Sequence, residues 1–278
     1  MTTSTGTFGA RLTTAIADRG RFCVGVDPHA ALLRDWGLDD DVAGLERFAL
    51  TVVEAVAPVV SVVKPQSAFY ERFGSRGIAV LERVIAESRE AGALVLLDVK
   101  RGDIGSTSQA YADAYLDPAS PLASDAVTAS PYLGFGSLDP MVEACHRHGA
   151  GLFVLALTSN KEGPEVQHAR TGAGTVAGAV LGHLRRLNDG AEPCGSFGAV
   201  VGATIGETTE DLDVNGPLLV PGYGAQGGTV EDLRRIFGPA VRHVLPSSSR
   251  EVLQTGPAVA ALREAAQRGN DAVARLAG

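Results

Sequence analysis

The sequence predicts an α/β fold: a single (β/α)8 barrel over residues 1–278, with one helix ahead of the first strand. Three observations carry that expectation. At 278 residues and 28.7 kDa the chain is near the size of one such barrel. Eight short β-rich runs recur at intervals of roughly 20–40 residues, most of them followed by helical patterning. Several runs are continuous Val/Leu/Ile instead of alternating, as in strands covered on both faces, which points to a parallel sheet. An open flavodoxin-like or Rossmann-like sheet is the alternative; eight strands at this length favour closure. No low-complexity linker divides the chain.

The elements follow in order. The N-terminal stretch is Ser/Thr-rich, lacks an acidic residue before Asp18, and reads as an amphipathic helix; its apolar run is too weak for a secretory signal. FCVGVD (22–27) is the first strand. LERFALTVVEAVA (45–57) is an amphipathic stretch ahead of VVSVVK (59–64). IAVLERVIAESREAG (78–92) is another and ends at Gly92, a C′ glycine. ALVLLDVK (93–100), DAVTAS (125–130) and GLFVLAL (151–157) are the middle strands, and FGAVVGA (197–203), PLLVPG (217–222) and RHVLPS (242–247) complete the set.

Composition narrows the function. With 45% apolar and 20% charged residues the chain can bury a sizeable core. Twenty-four basic against 32 acidic residues give −8, which argues against non-specific nucleic-acid binding. The longest uncharged stretch, Val214–Val230, is broken by Pro and Gly and does not read as a membrane helix. Cys23, Cys145 and Cys194 are far apart and without CxxC spacing, so a disulfide framework or thiolate zinc site is not expected; a reducing, cytoplasmic compartment is.

Chemistry in a barrel sits where strands end and βα loops begin. Those ends carry Asp27, Lys64, Asp98, Lys100, Asp103, Ser159, Lys161, Gln226 and Arg250. Of the 24 basic residues only three are lysine, and all three stand at or just beyond strand ends. In a chain this biased towards arginine, a retained lysine marks a position that needs a compact ammonium able to give up a proton. Lys64 and Lys100 fit best; Lys161 lies further into its loop.

LLDVKRGDIGSTSQAY holds D-x-K-x-x-D. Asp98 and Lys100, two apart on a strand, leave the same face, and Asp103 follows in a turn bracketed by Gly102 and Gly105, with Ser106 or Thr107 placed to cap the next helix. Carboxylate, ammonium and carboxylate in one patch would hold the lysine charged, and Lys64 would extend the row. Isolated D-x-K triplets are more often solvated ion pairs; the apolar strand ahead and the second strand-end lysine raise this one. PGYGAQGGTVED after the seventh strand, with Thr229 as a helix cap, and Ser247-Ser248-Ser249-Arg250 after the eighth occupy the usual phosphate position of such barrels.

Together these motifs resemble the orotidine 5′-phosphate decarboxylase family, and more closely its longer type 2 branch. The likeness runs from VGVDP to SSSRE, anchored by Asp27, Lys64 in VVKPQSAFYERFG, Asp98–Lys100–Asp103, Ser159 in LTSN, PGYGAQGG from Pro221, and Arg250. The resemblance implies loss of CO₂ from C6 of orotidine 5′-phosphate to give UMP in pyrimidine biosynthesis, without metal or cofactor. It implies Lys100 as proton donor, Asp98 against the scissile carboxylate, and Lys64 and Asp27 on ribose hydroxyls. Asp103, with Ile104 and Thr107, would complete the site of a second subunit, making a homodimer. Ser159 would meet the pyrimidine amide edge, Gln226 would bridge phosphate and pyrimidine, and Arg250 would grip the phosphate. Many family members have Gly where this chain has Ser249. The substrate is a trianion and the protein is negative, so binding would rely on local positive focusing at the mouth.

Cys145-His146-Arg147-His148 has the look of a metal cluster, but adjacent helical positions diverge. His29, just after GVDP, lies near the mouth and reads as a loop residue rather than a base. Rival readings are a metal-dependent sugar-phosphate decarboxylase or aldolase of the sister group, a Schiff-base aldolase, and a silent phosphate binder. The first needs a carboxylate metal ligand on the second strand, where Lys64 stands.

Overall fold

In the computed structural model, which describes residues 6–172, 174–224 and 227–277, eight parallel strands close on themselves. They are β1 (Cys23–Val26), β2 (Val62–Pro65), β3 (Leu94–Arg101), β4 (Ala126–Ala129), β5 (Gly151–Leu157), β6 (Phe197–Val201), β7 (Leu218–Pro221) and β8 (Val244–Ser248). β1 pairs in parallel with both β2 and β8, so no edge remains. The main helices are α1 (Phe8–Arg19), α2 (Val42–Val56), α3 (Ser75–Glu90), α4 (Gly105–Leu116), α5 (Asp139–His148), α6 (Val176–Leu187), α7 (Val230–Phe237) and α8 (Val259–Ala274). Strand and helix alternate as expected, with one departure. Residues 202–217, between β6 and β7, contain no helix, because Gly206, Gly216, Pro217 and the turn-forming DLDVNG run supply turns instead of a helical stripe. A two-stranded hairpin, Arg170–Thr171 with Gly174–Thr175, decorates the loop after β5.

The helical faces follow the 3.6 period. In α2, Leu45, Phe48, Ala49, Val52, Val53 and Val56 are buried while Asp41 caps the first turn by accepting from Gly44 N at 2.8 Å. α3 ends as the sequence suggests, with Gly92 at φ +88°.

The barrel interior is filled from below. α1 crosses its floor, and Phe8 and Leu12 join Cys23, Val62, Leu96 and Phe153 in an inner apolar cluster. Phe8 meets Phe153 edge-on at 5.9 Å. The strands leave room for these rings with glycine: a Cβ on Gly151 would lie 2.4 Å from the Phe8 ring, and one on Gly198 2.7 Å from Phe153. Asp125, before β4, fastens the arrangement by pairing with Arg11 at 2.5 Å and Arg89 at 3.2 Å and accepting from Val95 N at 2.9 Å. Burial raises the Asp125 carboxyl, but the two guanidiniums outweigh it and hold the group below its ordinary value. The floor is thus apolar at its centre and pinned by an ion cluster at its side, while the strand-end charges lie at the opposite end.

Candidate active site

The C-terminal strand ends bring four side chains into an alternating row. Lys64, whose side chain is 8% exposed, has Nζ 3.4 Å from Asp98 Oδ2 and 3.9 Å from Asp27 Oδ1. Lys100 Nζ lies 2.6 Å from Asp98 Oδ1, with its side chain 44% exposed. Asp98 is the centre of the row. Oδ1 accepts from Lys100 and from the Thr128 hydroxyl at 2.7 Å, and Oδ2 from Lys64 and from Gln66 Nε2 at 2.9 Å.

Local backbone explains the reach of these groups. Gly25 of β1 is opposite Lys64, and a Cβ there would stand 2.7 Å from Ser249 Cβ and 3.0 Å from Asp27 Oδ2. Glycine lets the end of β8 close over β1. On β3 the ladder with β4 shifts register between Leu97 and Arg101, and Lys100 sits at φ +44°, in the left-handed region that non-glycine residues avoid.

The electrostatics follow from the pairing. Burial pushes the Asp98 carboxyl up, yet Lys64, Lys100 and the hydrogen bonds to Lys100 and Thr128 override it and hold the pKa at about 2. For Lys64, burial pulls down, but Asp27 and Asp98 outweigh it and the ammonium is held above its ordinary range. Beneath them the buried Cys23 thiol is pushed up to about 12 by desolvation and stays neutral. Asp27 Oδ1, although buried, accepts no hydrogen bond among the described residues. The mouth contains a cavity of about 480 Å³ bounded by Asp27, His29, Gln66, Asp98, Lys100 and Arg101. A larger one of about 690 Å³ lies between Gly224, Thr229, Arg234 and Asp271. It borders neither amine of the row, so the smaller cavity is where the ionic chemistry is.

Other residues read from the sequence fall at the same end of the barrel. Ser159, exposed, follows β5 and abuts Gly202, where a Cβ would be 3.1 Å from its own. Pro221 ends β7 and accepts from Ala203 N at 2.8 Å. Gly224 (φ +72°) and Gly227 (φ +94°) both adopt positive φ, and Gly227 N donates to Gly224 O at 2.7 Å. Thr229 caps α7, and Asp232 completes a capping box. That carboxylate occupies the helix start, so an anion would be met by the loop ahead of it and by the far side of the mouth. Ser249 is half-buried beside Gly25, and Arg250 is exposed. Gln226 lies outside the described residues.

Three expectations need correction. Asp103 does not flank Lys100 within the chain: among the described residues it makes no ion pair, and its Oδ1 accepts from Ile104 N at 2.8 Å. The ammonium held between two acids is Lys64, because β1 and β3 flank β2 while Asp103 is carried outward by its turn. Ser106 and Thr107 do not cap α4; the helix begins at Gly105, φ +53°, so both stand inside its first turn. Lys161 is a surface residue, its side chain 92% exposed beside Glu162. His29 is a loop residue at the mouth, as expected, where it borders the cavity and packs on Phe69 at 4.2 Å. Sequence reasoning misses Gln66 and Thr128. The signal for Thr128 was its inward position two residues after Ala126, inside an otherwise apolar strand.

Comparison with known proteins adds to this geometry. The profile of the Orotidine 5′-phosphate decarboxylase / HUMPS family matches residues 20–265. The Orotidine 5′-phosphate decarboxylase of a Nocardioides species is 78% identical over 251 residues, covering 89% of this chain and 92% of that one. The protein of the same name from Streptomyces coelicolor is 64% identical over 263 residues, covering 94% and 95%. A Streptomyces avermitilis crystal structure superposes with a TM-score of 0.96 at 62% identity, over 99% of this chain and 97% of that one.

Proposed function

The chain belongs to the orotidine 5′-phosphate decarboxylase / HUMPS family, and from that premise we propose that it converts orotidine 5′-phosphate to UMP and CO₂. The observation that carries this reading within the family is Lys64, buried on β2 between Asp27 and Asp98. A cation at that position repels a divalent metal, which disfavours the metal-dependent sugar-phosphate chemistry of the sister group.

In the proposed site the pyrimidine carboxylate enters beside Asp98 and the C6 carbon faces Lys100. As the C6–carboxyl bond breaks, its electron pair remains on C6 with no adjacent carbonyl to accept it as an enolate. The Lys100 ammonium stabilises that charge as it forms and then transfers a proton to C6, giving UMP; solvent returns the proton to the amine. Asp98 fixes the ammonium. Asp27 and Lys64 hold ribose hydroxyls, and the free acceptor of Asp27 Oδ1 supports that role. Arg250, Ser249 and the loop from Pro221 through Gln226 take the phosphate, and Ser159 takes the pyrimidine amide edge.

The active form in this reading is a homodimer in which Asp103, Ile104 and Thr107 reach the partner's site. What supports it is an apolar surface: Ile104 is 62%, Tyr132 76% and Leu133 52% exposed. They stand on adjoining loops, tied where Ser130 N donates to Arg101 O at 2.8 Å. Large exposed apolar side chains grouped in this way are characteristic of an association surface.

The test is an ultraviolet assay for loss of orotidine 5′-phosphate in the presence of EDTA. Activity is expected to persist in chelator and to vanish in Lys100→Ala. Turnover of a sugar phosphate only with added Mg²⁺ would move the assignment to the sister group.

A further inference from the structure

The register shift in β3 has a specific geometry. Leu97 is opposite Val127 and Arg101 opposite Ala129, so residues 98, 99 and 100 of β3 face the single residue Thr128 of β4. An interrupted ladder strands backbone groups that a regular strand would pair. The Lys100 amide is one such group, and its acceptor is a side chain: Lys100 N donates to Thr128 Oγ1 at 2.9 Å. The same hydroxyl donates its proton to Asp98 Oδ1 at 2.7 Å. Asp98 Oδ1 also receives the Lys100 ammonium at 2.6 Å. One hydroxyl therefore closes a ring through the backbone, the side chain and the counter-ion of the same lysine.

Thr128 is 1% exposed, so water does not substitute for it. Lys100 needs such a restraint. At φ +44° its backbone is in a region unfavourable for a residue with a side chain, and such a conformation persists only where its surroundings over-determine it. The hydroxyl is suited to the task because it accepts and donates at once: its lone pair satisfies the amide and its proton orients the carboxylate.

We propose that Thr128 is a positioning residue for the Lys100 amine, its hydroxyl holding the left-handed turn of β3 and the Asp98 carboxylate in register with each other. The proposal rests on the assignment of Lys100 as proton donor and extends it to a residue in the wall of β4. Thr128 sets where the ammonium stands; the chemistry remains with Lys100.

The scarcity of lysine supplies a direct readout. The chain has three lysines, so protein labelled with ¹⁵N-lysine gives three backbone amide signals, with exposed Lys161 as internal control. Thr128→Val keeps the side-chain shape and removes the hydroxyl; Thr128→Ser keeps the hydroxyl. Hydrogen exchange at the Lys100 amide is expected to accelerate about tenfold in the valine variant and to stay within about twofold of wild type in the serine variant. In the decarboxylation assay kcat is expected to fall about 100-fold in the valine variant with KM nearly unchanged, and to recover with serine. A purely structural role would lower the melting temperature without separating kcat from KM or restoring it selectively with a hydroxyl. If the valine variant does not melt cooperatively, Thr128→Ala makes the same comparison. Unchanged Lys100 exchange or unchanged kcat in a folded variant overturns the proposal. If wild-type protein does not decarboxylate orotidine 5′-phosphate, the functional reading fails separately, and the exchange arm alone then supports or overturns the role of Thr128.

Discussion

Replacing Asp98 with Asn probes the electrostatic centre of the mouth. Its two oxygens collect Lys100 and Thr128 on one side and Lys64 and Gln66 on the other. Burial alone would make that carboxyl harder to ionise, but its partners hold it at about 2 against an ordinary 3.8. At about 1.4 kcal/mol per pH unit, the difference is about 2 kcal/mol of stability carried by the ionised form at neutral pH. The folded-state pKa is the depressed one. The contribution is therefore complete above about pH 4 and is lost as the pH falls towards 2.

Urea unfolding of wild type and Asp98→Asn across that range reads the effect. At pH 7 the variant is expected to be less stable by about 2 kcal/mol, since Lys64 would keep only Asp27, 3.9 Å away, as an ionic partner. The gap should narrow below pH 4, because wild type then loses what the variant never had. Equal stability at pH 7 together with the same acid slope would refute the idea that the two ammoniums hold this carboxylate ionised.

Two further outcomes follow from the same geometry. If, as proposed, Asp103 completes the partner's site in a homodimer, mixing Asp103→Ala with Lys100→Ala subunits should restore about one quarter of wild-type activity, since about half the dimers would be hybrids and each hybrid would have one complete site; no recovery despite demonstrated subunit exchange would count against shared sites. Phe8→Ala should cost about 3–5 kcal/mol in urea unfolding by emptying the barrel floor, because the glycines at 151 and 198 cannot fill the space; a loss below about 1 kcal/mol would show that α1 is dispensable to the core.

The barrel was legible because its signals are local and repeated: eight apolar runs, each 4–8 residues long in the structure, separated by amphipathic stretches or turns. Lys64 and Lys100 were legible because an arginine-rich chain made lysine conspicuous. Lys161 shows the limit of that inference, since composition marks a residue type and not its burial. Other features of the mouth were hidden because they are long-range. Gln66 and Thr128 acquire meaning only when β2 and β4 flank β3. The positive φ of Lys100 also escapes a sequence reading, because the usual signal for such a turn is glycine. Asp103 was misplaced because a spacing of three beyond a strand end does not say whether the turn leads inward.

The charge count of the mouth bears on how binding energy is distributed. Asp27, Lys64, Asp98 and Lys100 alternate in sign and sum to zero, so each ammonium is already matched before any ligand arrives. In the proposed complex the substrate carboxylate then finds no unmatched cation beside Asp98. Arg250, by contrast, is exposed and makes no ion pair among the described residues. Attraction in a protein of net charge −8 therefore concentrates at the proposed phosphate end, beside Arg250. Under the proposed assignments, binding energy gained there, remote from C6, would hold the carboxylate against Asp98 without stabilising it, and the favourable pairing with Lys100 would grow only as CO₂ leaves and charge collects on the carbon. On the proposed assignments the neutral row would make the chemistry fast and not merely the barrel stable.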